Sequence, residues 1–164
     1  EGGNEAWRKI EGAPRWDTRD KPWFGHSESL WVCPTAPSLE SNATVWLIRR
    51  FIDRNALFLC VSAKEVSGVA DRFGAPPIVE ISGSLFEEHL SAFGLHSPAL
   101  SQLAMMFAKA REPRHTASET LPDLAGLVHM MHHTANTHHD ALHQFLPICD
   151  ALYFHALTTA RAAT

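Results

Sequence analysis

The run ALFLCVS at 56–62 constrains this chain more than any other stretch. It is a short, unbroken apolar run, which fits a buried β-strand better than a helix. The segments on either side of it change period. In ATVWLIRRFID (43–53), Trp46, Leu47 and Phe51, with Ile48, turn toward one side at helical spacing. AKEVSGVADRFG (63–74) is an amphipathic helix closed by Gly74. PPIVEIS (76–82) then reads as a second strand. The alternation predicts a small sheet in the first half of the chain, with helices packed on it.

Helices dominate the rest. SLFEEHLSAFG (84–94) opens with Ser84 and carries Glu87 three residues on, a capping box, and ends at Gly94. SPALSQLAMMFAKAR (97–111) has Ser97 as its cap and Pro98 at the first helical position. After a loop at 112–120, two helices are predicted, from about Pro122 to His133 and from about His138 to Arg161. The fold class is therefore α+β, mostly helical, with a small β-sheet in the first half and a C-terminal helical hairpin. Upstream, residues 1–13 read as a Gly turn and a short helix. Residues 14–40 form a Pro- and Trp-rich arm in which LWV (30–32) is a candidate strand, and the main domain is placed at 41–164.

A length of 164 residues, 45% of them apolar, suits one domain with a real core. The net charge of −4 lacks the basic excess of a general nucleic-acid binder. Adding eleven protons to the histidines gives +7, so acidification changes this surface strongly. Cys33, Cys60 and Cys149 are far apart and odd in number, and signal neither a zinc ribbon nor a disulfide scaffold. They read as buried or incidental thiols, consistent with a cytoplasmic protein. No stretch has the length of an apolar membrane span. The chain begins at Glu1 rather than Met, so an upstream part is expected and the lack of a visible signal peptide carries little weight.

Two regions carry a resemblance. EGGNEAWRKIEGAP (1–14) resembles the last turn and C-terminal helix of a rhodanese domain. Over 41–153 the chain resembles the C-terminal domain of the chromate-resistance protein ChrB family. The matching residues are WLIRRFID (46–53), FLCV (58–61), VADRFGAPP (69–77), LSAFGL (90–95), PALSQLA (98–104) and DALY (150–153). The resemblance implies a bacterial intracellular protein linked to chromate resistance, with a sensing or regulatory role. Sulfur transfer is not expected, since the Cys-bearing loop of a rhodanese would lie upstream of Glu1.

The departures from the family are concentrated in its polar motifs. Ahead of WLIRRFID the family has a basic stretch and then Cys-Pro, where this chain has CPTAPSLESNATV (33–45), with Thr44-Val45 at the Cys-Pro positions. The segment ISGSLFEEH (81–89) is too short for the family's His-containing loop, and Lys109-Ala110-Arg111 replace its Gly-Ala-Asp. This points to a divergent copy acting as a binding or regulatory module without catalysis.

Arg49 and Arg50 are the retained basic pair. Adjacent helical residues point about 100° apart, so the two cannot form one fork. Either is a candidate to bind an oxyanion such as chromate through paired guanidinium donors. The structural alternative is a salt bridge, with Asp53 at spacing four from Arg49 as one partner.

Six of the eleven histidines lie in HMMHHTANTHHDALH (129–143). Two pairs sit one helical turn apart, His129 with His133 and His139 with His143, and imidazole pairs at that spacing can bind zinc or nickel. Against this, helical geometry turns His129 and His133 toward solvent, where no second groups orient the rings. Of the four, His139 alone falls where the family often has His. No cofactor is otherwise predicted. Two further readings stay open. One is a metal- or oxyanion-handling detoxification protein using Arg49, Arg50 and the histidines. The other is a structural subunit whose arm at 14–32 meets a protein partner or a second copy.

Overall fold

The computed structural model describes residues 29–79, 84–111 and 124–162, without the side chains of Arg111, Ala125, Arg161 and Ala162. The helix expected over 1–13 and most of the arm lie outside the described residues. The apolar run at 56–62 is a strand, β2 (Leu57–Val61), half-buried rather than buried and with Leu57 exposed, and LWV belongs to another, β1 (Leu30–Pro34). The two are parallel, in the register Leu30↔Leu57, Trp31↔Phe58, Val32↔Leu59, Cys33↔Cys60 and Pro34↔Val61. Parallel neighbours need a crossover, and helix α1 (Leu39–Leu47) supplies it. Residues 30–40, placed by sequence in the arm, thus contribute β1 and the start of α1, and Trp31 is buried in the chain's own core.

The strand expected over 76–82 shrinks to a single parallel bridge, Val32↔Pro77, in the described part. Val32 N–H donates to the Pro76 carbonyl at 3.1 Å, and Ile78 N–H to the Val32 carbonyl at 2.7 Å. Pro76 has no N–H to give, so this ladder cannot extend toward its N-terminal side.

Every residue of α1 is buried, including Glu40, Ser41, Asn42 and Thr44. Ser38 caps it, its hydroxyl accepting the Ser41 N–H at 3.1 Å. The helix was expected only from about residue 43, because its first turn is polar and offers no apolar period. The remaining helices are α2 (Val66–Phe73), α3 (Leu85–Ala92), α4 (Pro98–Arg111), α5 (Leu124–Thr134) and α6 (His138–Ala162). The predicted caps hold: Ser84 accepts from Glu87 N–H, Ser97 from Leu100 N–H and Thr137 from Asp140 N–H. Gly74 closes α2 in the left-handed region at φ 60°.

Strand alternation divides the core. Trp31, Cys33, Phe58 and Cys60 face the main cluster, formed with α1, α3, α4, α5 and α6. Val32, with Leu30 and Val61 beside it, faces a smaller cluster built on Val66 and Ala70 of α2. At the centre of the large cluster the ring of Trp46 lies 5.4 Å from that of Phe51 and 5.6 Å from that of Tyr153. No described helix is long and apolar enough to cross a membrane.

Candidate functional site

The two retained arginines sit in an irregular turn. Past Leu47 the helix widens into a π-helical segment, Ile48–Ile52, closed by Asp53 N–H donating to the Ile48 carbonyl at 2.8 Å. Such turns insert a residue into a helix and recur at functional sites. The sequence period gave no sign of it, since the apolar residues on both sides remain in phase with a regular helix.

Arg50 points to α6. Its Nε donates to Asp150 Oδ1 at 2.8 Å and its Nη2 to Oδ2 at 2.7 Å. The Trp46 indole N–H donates to the same Oδ1 at 2.7 Å. This carboxylate therefore neutralises Arg50, engages its Nε and Nη2 donors and satisfies a buried indole.

Arg49 points the other way. Its Nη2 donates to the Ala56 carbonyl at 3.3 Å, and its guanidinium lies 5.3 Å from the ring centre of Phe58 on β2. The expected pairing with Asp53 is not made. Asp53 Oδ2 instead accepts from Ser29 N–H and Oγ, and Oδ1 from Asn55 N–H, so the carboxylate ties the turn to the start of β1. No carboxylate among the described residues forms an ion pair with Arg49. Burial, and then the neighbouring Arg50, lower its pKa, while the charge of Asp53 partly opposes them.

Beside Arg49 lie His139 and His143, one turn apart on α6, with ring nitrogens 2.9 Å from each other. Val45, Arg49, Phe58, His139, Leu142, His143 and Leu146 line one small pocket of about 10 Å³. That is room for about one water, so a larger ligand would lie across its mouth. The His143 pKa is lowered by burial first, then by His139 and Arg49. Arg49 and two imidazoles thus come together at one small pocket whose remaining walls are apolar.

The other pair, His129 and His133, lies on α5 with ring nitrogens 3.1 Å apart, and all four histidines of the two pairs are exposed. Beside it a cleft of about 510 Å³ runs between Ala36–Leu39 and α5, lined also by His132. His132 approaches Asn42 Nδ2 at 3.5 Å, and its pKa is lowered mainly by burial. The described lining of this cleft holds no Arg or Lys. Among the described residues no three His, Cys, Asp or Glu side chains gather as a metal site, so each histidine pair offers two ligands.

Sequence reasoning passed over Asp150 as a site residue, although DALY had been noted, because nothing in a linear pattern links it to Arg50. It also missed the pairing of Cys33 with Cys60, whose sulfurs lie 3.1 Å apart.

In comparison with known proteins, a family model described as ChrB, C-terminal domain matches residues 31–156. No curated protein and no solved structure matches the chain.

Proposed function

The chain belongs to the ChrB C-terminal domain family, a chromate-resistance-related domain, and on that premise we propose that it is a cytoplasmic binding module for a small oxyanion, chromate first, held at Arg49. One observation carries this reading. Of the two family arginines, Arg50 is neutralised by Asp150 while Arg49 has no carboxylate partner among the described residues and stands beside His139 and His143. A guanidinium offers an oxyanion two parallel donors. Protonation of His143 adds positive charge beside Arg49, so acidification strengthens the site.

The reading is one of binding without turnover. Thr44 and Val45 occupy the positions of the family's Cys-Pro. Thr44 is buried in α1, and Val45 lines the Arg49 pocket. A hydroxyl enclosed there is a poor substitute for a thiolate nucleophile. The shallow pocket favours modest affinity with rapid exchange, which suits a sensor more than a store.

Calorimetric titration of the intact chain with chromate, at neutral and mildly acidic pH, tests the proposal. One bound anion per chain is expected, with tighter binding at the lower pH. Affinity that is absent, or that weakens on acidification, contradicts it. Catalytic loss of chromate in the presence of a reductant contradicts the non-catalytic part alone.

A further inference from the structure

Cys33 and Cys60 occupy opposed positions of the parallel register, and their sulfurs are 3.1 Å apart. Adjacent strands run about 4.8 Å apart, within the range of Cα separations that a disulfide spans, about 4.4–6.8 Å. Both side chains project from the same face of the two-stranded sheet, so no rotation of a strand is needed to bring them together. Their exposure differs: Cys33 is fully buried, whereas Cys60 is half-buried. Cys149, on α6, is sealed in the core, and burial raises its pKa well above the ordinary thiol value.

We infer that Cys33 and Cys60 are a redox-active dithiol, which a small hydroperoxide oxidises to an intramolecular disulfide, Cys60 attacking first and Cys33 resolving. The asymmetry of the pair assigns the roles. Cys60 is the thiol that a peroxide can reach, and with the sulfurs 3.1 Å apart a hydrogen bond from Cys33 stabilises a thiolate on Cys60 and lowers its pKa, while the same bond and burial raise that of Cys33. In the first step the Cys60 thiolate takes one peroxide oxygen. The O–O bond breaks, the other oxygen leaves as hydroxide and is protonated to water, and Cys60 becomes a sulfenic acid. In the second step Cys33 gives up its proton and its sulfur attacks that of Cys60. The S–O bond breaks, and hydroxide leaves and is protonated. With hydrogen peroxide, two thiols and one peroxide become one disulfide and two waters; with an organic hydroperoxide one of the waters is replaced by the alcohol. This inference uses neither Arg49 nor the histidines and does not rest on anion binding.

The test uses the intact, reduced chain exposed to hydrogen peroxide, then denatured and alkylated. The expected result is a fall in alkylatable thiols from three to one, with peptide mapping showing a Cys33–Cys60 link and free Cys149. Retention of all three thiols overturns the inference. So does a link involving Cys149 or a second chain, or over-oxidation of Cys60 beside a free Cys33. Two variants test the order of attack. Cys33→Ser should leave a Cys60 sulfenic acid that dimedone traps, and Cys60→Ser should leave Cys33 unlabelled. Labelling of Cys33 in place of Cys60 overturns the assignment of roles.

Discussion

Arg50 and Asp150, a hundred positions apart in sequence, meet through two parallel hydrogen bonds of 2.8 and 2.7 Å. The contact joins the two most recognisable strings of the chain, WLIRRFID and DALY. Trp46, Arg50, Phe51, Asp150 and Tyr153 form one cluster between α1, the π-helical turn and α6. A family signature that reads as possible ligand chemistry is, in its Arg50 half, the joint that docks the last helix.

Loss of this joint should be costly. Asp150→Ala leaves both a half-buried guanidinium and a buried indole N–H without their acceptor, and should lower unfolding free energy by about 2–4 kcal/mol. The paired side chains are 22% and 27% exposed, so some solvent screening remains. A double-mutant cycle with Arg50→Ala should give a coupling of about 1–2 kcal/mol. Urea denaturation measures both.

Much of this fold was legible because local signals were strong. Ser84, Ser97 and Thr137 announced their helices, and the apolar run at 56–62 announced its strand. What stayed hidden depends on contacts distant in sequence. The polar residues of α1 are buried because α3, α5 and α6 pack against it, and no period predicts that. The strand expected over 76–82 is seen only as the bridge at Pro77, and its last residues lie outside the described residues. At the site, the two arginines were found but not their division of labour, which is set by Asp150 and by the widened turn.

Two glycines of α2 should respond in opposite directions to alanine. Gly68 is a helix-interior residue whose added Cβ meets nothing within 4 Å. Gly68→Ala should therefore stabilise the chain by about 0.5–1 kcal/mol. Gly74 has equal space but a φ of +60°, so Gly74→Ala should destabilise by about 1 kcal/mol. Thermal denaturation of the two variants side by side checks the pair of signs.

Stability and anion affinity should depend on pH in opposite senses. His89, His132 and His143 all have pKa values lowered from the ordinary 6.5, burial being the largest cause in each. Their folded forms bind fewer protons than the unfolded chain. Stability from this source is complete above about pH 6.5 and falls as pH drops below it. Melting temperatures measured without oxyanion should fall on acidification, and His143→Gln should remove part of the slope.

Divalent metal should find two weak sites and no single strong one. Each pair, His129/His133 and His139/His143, presents two ring nitrogens, 3.1 and 2.9 Å apart, where a structural zinc site has four ligands. In a nickel titration followed by histidine NMR, His133→Ala should abolish one response and His143→Ala the other. One tight site that needs all four histidines would contradict this account.

On the proposed reading Arg49 binds an oxyanion while Arg50 pairs with Asp150. Molybdate, a tetrahedral oxyanion that leaves thiols unoxidised, separates anion binding from cysteine chemistry. The decisive measurement is its calorimetric titration into the intact chain and into Arg49→Gln, with His133→Ala as a remote control. A charge-assisted hydrogen bond contributes about 1.5–3 kcal/mol, so Arg49→Gln should weaken binding by about 10-fold or more, while the control binds like the parent chain. Equal affinity in parent and Arg49→Gln would contradict the account.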